Sequence, residues 1–453
     1  MTTRGIPPPP CVCLWFTPSL HKYLAEKYMR RRLKKLEGYK GIAYLRRKLE
    51  NKRIRVLTRY KYYDMKNLVR DAKVSTPPDL QWMNSALGWC GKAVDSLADR
   101  LVFHAFDNDN FDLTEIYQMN NPDVFFDNAI LSALISSCCF VYISADATGY
   151  PRMQVIDGGN ATGIIDPITG LLEEGYAVLK RDDNDVPIQE AWFTKGRTEF
   201  ITKGVSKTII IKNAAPYPLL VPVIYRPDAV RPFGHSRVSR ACMRIMDAAL
   251  RTIKRSEISA EFYSFPQKYI IGLSNEVEIE KWRASMSSLL TLTKDDDGDN
   301  PQIGQFTQQS MSPYTEQLRT FAALFAGETG LTLDDLGFVS ENPSSAEAIK
   351  ASHENLRLMA RKAQRTFGSS FINAGYLAAC VRDGYPYQRR QCYLTKPTWE
   401  PIFEPDAAML SNMGDGAIKI NQAVPGYMGT DNMRILTGIE PSKSPVAPVQ
   451  LDK

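Results

Sequence analysis

Residues 232–272 read PFGHSRVSRACMRIMDAALRTIKRSEISAEFYSFPQKYIIG, and this stretch decides the fold. At 100° per residue, Val238, Ala241, Cys242, Ile245, Ala249 and Ile253 share one face, whereas Arg237, Arg240, Arg244, Arg251 and Arg255 share the opposite one. The spacing predicts a two-faced helix that opens after Pro232 and Gly234 with Ser236 as N-cap and stops at Pro266. About 28 residues at 1.5 Å each give a rod of roughly 40 Å, long for a globular helix. Its basic stripe has two readings. One is a solvated face on which Asp247 bridges Arg244 and Arg251 at i,i+3 and i,i+4; the other is a surface through which copies of the helix pair charges around a ring.

Downstream, strand patterns at 268–271 and 302–306 enclose a helix at 277–289 and an acidic loop at 295–300, so a small β-α-β insert separates the long helix from a second one. That second helix, 313–328, carries Leu318, Phe321, Ala322 and Phe325 on one face, and Gly327 and Gly330 end it. Residues 331–345, LTLDDLGFVSENPSS, have neither helical nor strand period and form a loop. Ser344 and Glu347 then make a capping box, followed at helical spacing by Ala346, Ile349, His353, Leu356, Ala360, Ala363 and Phe367, in a helix that continues toward Val381. A strand at 391–399 and a helical pair near 406–422 and 431–436 close the chain.

Upstream, residues 109–226 change period. A helix at 122–136 runs into a strand at 139–144, and further strands are expected at 153–156, 176–181, 190–193, 198–202 and 208–212. This is an α+β block built on an antiparallel sheet. Before it, Trp82, Ala86, Trp89, Ala93, Leu97 and Leu101 predict an apolar helical stripe over 80–101. The region from about 18 to 74 is helical and basic, with nineteen Lys and Arg between His21 and Lys73. That charge is either a solvated helix face or a surface for DNA phosphates or an acidic neighbour. Residues 1–18, with Pro7 to Pro10, read as a loose tail.

The whole chain, 453 residues with 44% hydrophobic and 23% charged, has room for several domains and an ordinary core. A net charge of +6 is too small by itself to imply nucleic-acid binding, and no apolar run is long enough for a membrane span. The eight cysteines lack a disulfide framework and read as reduced, mostly buried thiols. Gly88 to Lys92 is not a phosphate loop, because only two residues separate its glycines and Ala93 follows the lysine. The run Asp295, Asp296, Asp297 and Asp299 lacks the glycine and distal glutamate of a calcium loop. The four histidines form no metal-binding motif, and no nucleophile signature is present. The sequence therefore points to a structural protein without catalytic residues, cofactor or metal, rather than an enzyme.

Four groups of residues carry a family resemblance: 94–101 (VDSLADRL), 234–240 (GHSRVSR) continuing through 255–263 (RSEISAEFY) to Pro266 and Gln267, 325–330 (FAGETG), and 342–349 (NPSSAEAI). In this order they resemble the SPP1 portal-like family of tailed-bacteriophage portal proteins, over roughly residues 20–440. The resemblance implies a portal-type fold: a flexible tail (1–18), a helical and sheet-containing wing (19–231), and a two-helix stem (232–265 and 312–330). It further implies a small β-α-β clip (266–311), a tunnel loop (331–345), a long helix (346–385), a wing strand (386–403), and a short helical crown and tail (404–453). It implies a ring of twelve copies at one capsid vertex of the virion, assembled in the host cytoplasm with no membrane, that passes double-stranded DNA without sequence specificity during packaging and ejection. The implied partners are the terminase large subunit, the major capsid protein, and head-completion or adaptor proteins.

Carried onto this chain, Asp334, Asp335, Phe338, Glu341 and Asn342 would line the channel. Trp282, Asp295, Asp296 and Asp297 would dock the terminase, and Arg237, Arg240, Arg244, Asp247, Arg251, Arg255, Glu257 and Glu261 would pair between subunits. The competing expectation is a basic nucleic-acid-binding adaptor or scaffold without a channel.

Overall fold

A computed structural model describes residues 38–67, 82–264, 268–271, 302–305, 310–338, 351–403 and 407–439. The basic region yields helix α1 (Ile42–Tyr63), which buries Leu45, Leu49 and Val56 on one stripe. Its start is held by a buried carboxylate: Glu174 accepts hydrogen bonds from the N–H groups of Lys40 (2.9 Å) and Gly41 (2.8 Å), and from the Trp192 indole (2.8 Å). A negative group there neutralises the helix dipole and satisfies backbone donors that have no partner within the helix.

Helix α2 (Trp89–Ala98) is shorter than the expected 80–101. Residues 82–88 are not helical, and Trp82 is 73% exposed, so the apolar stripe is real only from Trp89 to Leu97. Strand β1 (Phe103–Asp107) and helix α3 (Leu113–Gln118) follow, neither of them foreseen. Helix α4 (Pro122–Ser136) has the expected bounds and leads through Ser137 into β2 (Cys138–Ala145).

The α+β block holds two antiparallel sheets rather than one. The first is β3-β2-β9, where β3 is Pro151–Ile156 and β9 is Leu220–Ile224; Val141 of β2 faces Val155 on one side and Val221 on the other. The second is β4 (Ala161–Ile165), β5 (Leu172–Arg181), β6 (Pro187–Thr194), β7 (Arg197–Thr202) and β8 (Ile209–Lys212), paired in that order. Strands β4 and β9 were not expected. The first is too short to show a period, and the second is LVPVI, fully buried, whose Pro222 argues against a strand.

The long helix of the sequence reading is α5 (Arg240–Ser264). It begins after Ser239, whose hydroxyl accepts the Cys242 N–H at 3.1 Å; Ser236 instead turns away, donating to the Ile135 carbonyl at 2.5 Å. Gly234 makes the turn before it possible. Its φ is +71°, and a Cβ there would lie 2.0 Å from the Tyr225 carbonyl oxygen. Beyond α5, β10 (Lys268–Ile271) and β11 (Gln302–Gln305) pair antiparallel, as the strand patterns require. The helix expected at 277–289, the acidic loop 295–300 and the capping box of Ser344 and Glu347 lie outside the described residues, as do residues 1–18.

Helix α6 (Ser312–Thr329) ends at Gly330, with φ +71°, while Gly327 stays within the helix. Residues 331–338 are not a featureless loop: they close a 3-10 turn, Asp334–Leu336, with Leu331 and Leu336 buried. Helix α7 (Glu354–Arg382) is buried almost continuously from Phe367 to Cys380, so its second half runs through the core rather than along it. Gly368 lets Pro397 of β12 approach; a Cβ would stand 2.4 Å from the proline ring. The strand expected at 391–399 shortens to β12 (Lys396–Trp399), preceded by a 3-10 turn, and it pairs with β1. An aromatic cluster seals this closure, with Phe103 stacked on Phe126 at 4.2 Å and edge-on to Trp399 at 5.3 Å, and Phe126 against Phe371 at 4.8 Å. Helices α8 (Ala407–Ala423) and α9 (Thr430–Thr437) end the described chain close to expectation. Arg434 reaches back to Asp107 at 2.7 Å.

Gly234→Ala is expected to lose more than about 3 kcal/mol through left-handed strain and overlap with Tyr225. Gly204→Ala, at φ +81° with no atom within 4 Å, should lose only about 1–2 kcal/mol. Urea midpoints of the two variants check the difference.

Candidate functional site

Helices α5 and α6 lie antiparallel, and three polar bridges mark their length. Ser239 donates to Glu328 at 2.8 Å, Thr252 to Gln317 at 3.0 Å, and the Ser259 and Tyr314 hydroxyls share a bond of 2.9 Å. Between the bridges the buried side chains are Cys242, Met246, Ala249 and Leu250 on α5, with the small Ala322 and Ala326 and the larger Phe325 on α6. Small residues let two helices come close over their whole length. The stripe shifts from the expected one, since Ala241 is exposed and Ile245 and Ile253 are half-buried.

The end of the pair is fixed by Arg237, which sequence spacing places on an exposed basic face. The helix starts three residues later, so the period does not apply to it, and Arg237 is 5% exposed. Its Nε donates to the Ala93 carbonyl of α2 at 3.0 Å, Nη2 to the Thr329 carbonyl at the end of α6 at 2.5 Å, and Nη1 approaches Met359 Sδ of α7 at 3.1 Å. Its backbone N–H donates to Leu134 of α4 at 2.8 Å. Burial pushes the guanidinium pKa down, but arginine remains charged at any ordinary pH. Three helices thus share one cation, and a fourth holds its backbone.

Two acids expected between subunits are engaged within the chain. Asp247 accepts the Tyr62 hydroxyl of α1 at 2.8 and 2.9 Å rather than bridging Arg244 and Arg251, and Glu257 accepts Ser85 at 2.8 Å. Burial, and then the hydrogen bond to Asp247, raise the Tyr62 pKa. Arg240, Arg244, Arg255 and Glu261 are exposed and Arg251 half-buried, and among the described residues none of the four arginines forms a salt bridge. The helix pair keeps an arginine face that no described acid neutralises.

Beyond α6, the segment 331–338 is tied down rather than extended. Asp335 accepts the Thr332 N–H and hydroxyl, both at 2.9 Å, and stands 3.7 Å from His353 Nδ1. Phe338 is half-buried and Asp334 exposed. Glu341 and Asn342, and Trp282, Asp295, Asp296 and Asp297 beyond the far end of the pair, lie outside the described residues.

The basic helix α1 fits neither of its two expected roles on its inner face. Arg46 pairs with Glu190 and Arg53 with Asp185; Lys48 donates to the Gly163 carbonyl at 2.7 Å, Arg59 to Ser136 at 2.8 Å, and Lys52 to Cys138 Sγ at 3.0 Å. Lys48 and Lys52 also lie over the Phe233 ring, at 5.0 and 5.5 Å. Burial, with the neighbouring lysines next, lowers the Lys48 pKa. Half of this helix's charge therefore docks it to the sheets. A basic run whose lysines bond to carbonyls gives no sequence signal that separates it from a solvated one.

Nothing in the described geometry assembles a catalytic group. Among the described residues no three of His, Cys, Asp and Glu converge, six cysteines are free and buried, and burial pushes the Cys380 thiol up to about 11. Within the described residues no helix is long and apolar enough to cross a membrane.

Residues 42–406 match the family described as "Phage portal protein, SPP1 Gp6-like". Two proteins named portal protein are similar: that of Mycobacterium phage L5 is 23% identical over 343 residues, and that of Mycobacterium phage D29 is 25% identical over 343, each match covering 71% of this chain and 70% of the relative. Among solved structures, a chain from "Virion of native gene transfer agent (GTA) particle" aligns with TM-score 0.43 and 11% identity, and one from "Neck of native GTA particle computed with C12 symmetry" with 0.41 and 13%. Both alignments cover 78% of this chain and 90% of the other.

Arg237→Lys and Arg237→Met should each lower stability by about 2–4 kcal/mol, because neither replacement reaches both carbonyls and the thioether. The exposed control Arg240→Lys should stay within about 0.5 kcal/mol of the parent. Chemical denaturation reads both.

Proposed function

Because the chain belongs to the SPP1 Gp6-like family of phage portal proteins, we propose that copies of it assemble into a ring, twelve in number, at one capsid vertex of the virion. The ring is the conduit for DNA packaging and ejection. The observation that carries this reading is the antiparallel pair α5 and α6: rigidly rooted at Arg237, joined far from the root by the unit containing β10 and β11, and bearing an arginine face without partners in the described chain. In a ring each pair meets a neighbour, and Arg240, Arg244, Arg251 and Arg255 find acids there, Glu261 among them. On this reading α5 and α6 are the stem, and 266–311 is the clip that docks the terminase through Trp282, Asp295, Asp296 and Asp297. Residues 38–231 belong to the wing, which meets capsid protein, and α8 and α9 form the short crown.

The channel role asks for little chemistry. DNA must slide, so contacts that read bases or clamp phosphates are costly at every step. The segment 331–345, with Asp334, Asp335, Phe338, Glu341 and Asn342 and no lysine or arginine, suits a wall that repels phosphate. The described half, anchored by Leu331 and Leu336, is the base from which the remainder reaches the channel. No enzymatic step is part of this function. Against the alternative of a basic adaptor, Arg46, Lys48, Lys52, Arg53 and Arg59 of the basic run spend their charge within the chain.

Native mass spectrometry should find an assembly near twelve times the 51.0 kDa subunit; only monomer and dimer at high concentration would contradict the ring. Arg244→Glu with Arg251→Glu should sharply reduce the ring fraction while the monomer's circular dichroism is unchanged. Normal rings from that double variant would remove the arginine face from the interface.

A further inference from the structure

A cleft of about 670 Å³, lined by no residue of α5 or α6, opens between the β4–β5 turn, the loop that leads from β9 toward α5, and the middle of α7. Pro167, Pro222, Pro227 and Pro232, with Ile165 and Ile224, give it stiff apolar walls. Along α7 the wall runs from Lys362 to Asn373. That is roughly 16 Å at the helical rise, the reach of about five extended residues.

The lips of the cleft are two tight turns, each built on an aspartate. Asp166 accepts the Ile168 N–H at 2.9 Å and the Thr169 hydroxyl at 2.7 Å. Asp228 accepts the N–H groups of Val230 at 2.8 Å and Arg231 at 2.6 Å, and its other oxygen meets His235 Nε2 at 2.6 Å. Each turn holds a branched aliphatic side chain in water: Ile168, between the lining residues Pro167 and Thr169, is 92% exposed, and Val230, beside Ala229, is 87% exposed. A fixed turn that displays a bare apolar side chain loses little entropy when a partner covers it.

Charge decides the chemistry of the guest. Both carboxylates of the lips are taken by their own turns, whereas Lys362 and Arg365 are exposed and, among the described residues, form no salt bridge. Asn373 gives its Oδ1 to Arg389 Nε at 2.6 Å, so its N–H groups are what it offers a guest. Cations and donors beside apolar walls call for a chain that carries both carboxylates and apolar side chains. A nucleic-acid backbone supplies the charge without the apolar groups.

We propose that this cleft binds an extended acidic segment, about five residues long, of another protein. Its carboxylates pair with Lys362 and Arg365, and its apolar side chains lie against the prolines between Ile168 and Val230. The site is separate from the helix pair, so it does not rest on the ring.

A display library of random peptides, panned against the immobilised full-length protein, tests this. Enriched sequences should combine Asp or Glu with apolar residues. By fluorescence anisotropy they should bind Lys362→Glu/Arg365→Glu and Ile168→Asp/Val230→Asp at least about tenfold more weakly than the parent. Lys207→Glu, at the opposite edge of the five-stranded sheet from β4, should bind as the parent does. All five positions are exposed, so the variants should keep the parent's circular dichroism and melting temperature. No enrichment, enrichment of sequences without acids, or binding that both cleft variants retain would overturn the proposal. Short duplex DNA that displaces the peptide as well as unlabelled peptide does would give the cleft to phosphate. Peptide binding that disappears when copies assemble would give it to a second copy, and either result overturns the proposal equally.

Discussion

The Arg237 guanidinium is the constraint on which the rest of the architecture depends. A cation taken out of water is tolerated only where its donors are met, and here they are met by Ala93 of α2, Thr329 at the end of α6 and Met359 of α7. Moving any of these helices by an ångström or two would strand the charge, so their relative positions are fixed together. The two glycines nearby complete the joint. Gly234 lets the chain pass under Tyr225 on its way into α5, and Gly330 lets it turn beside Met359 on leaving α6, where a Cβ would stand 2.4 Å from the methionine methyl. The helix pair therefore leaves the core as one stiff body with both ends tied at its root.

Charge elsewhere is used in the same inward manner. Glu174 holds the start of α1, Arg46 and Arg53 meet acids of the five-stranded sheet, and Lys48 and Lys52 lie over Phe233 just ahead of the joint. Helix α1 is thus a strap across the sheets and the root of the helix pair, and Tyr62 extends the strap to Asp247 on α5. Among the described residues the arginine face of α5 forms no salt bridge. In the proposed ring a neighbouring copy is the partner for this face.

The period of the sequence exposed the long elements because burial there is one-sided: α4, α5, α6 and β5 to β8 lie within a few residues of expectation. It failed where burial is complete or where backbone chemistry overrides spacing. β9 is buried on both faces and shows no alternation; 82–88 continues the apolar spacing of α2 but unwinds ahead of Gly88; Ser236 looked like a cap while Ser239 caps. The assignment of Arg237 to an exposed stripe failed for the same reason, as a residue outside the helix was placed by the helix's period. The side chains that engage Asp247 and Glu257 come from residues more than 170 positions away, Tyr62 and Ser85, and no local pattern contains such contacts.

In the proposed ring the helix pair is the inner scaffold, with Arg237 at its root and the arginine face at the boundary between copies. The most direct measurement is a cryo-EM map of the assembled particle. It should show α5 and α6 inclined around a central axis, Arg244 and Arg251 within salt-bridge distance of acids on the adjacent copy, and residues 331–345 nearest the axis. A ring in which that segment faces away from the axis and the arginines face open solvent would contradict it.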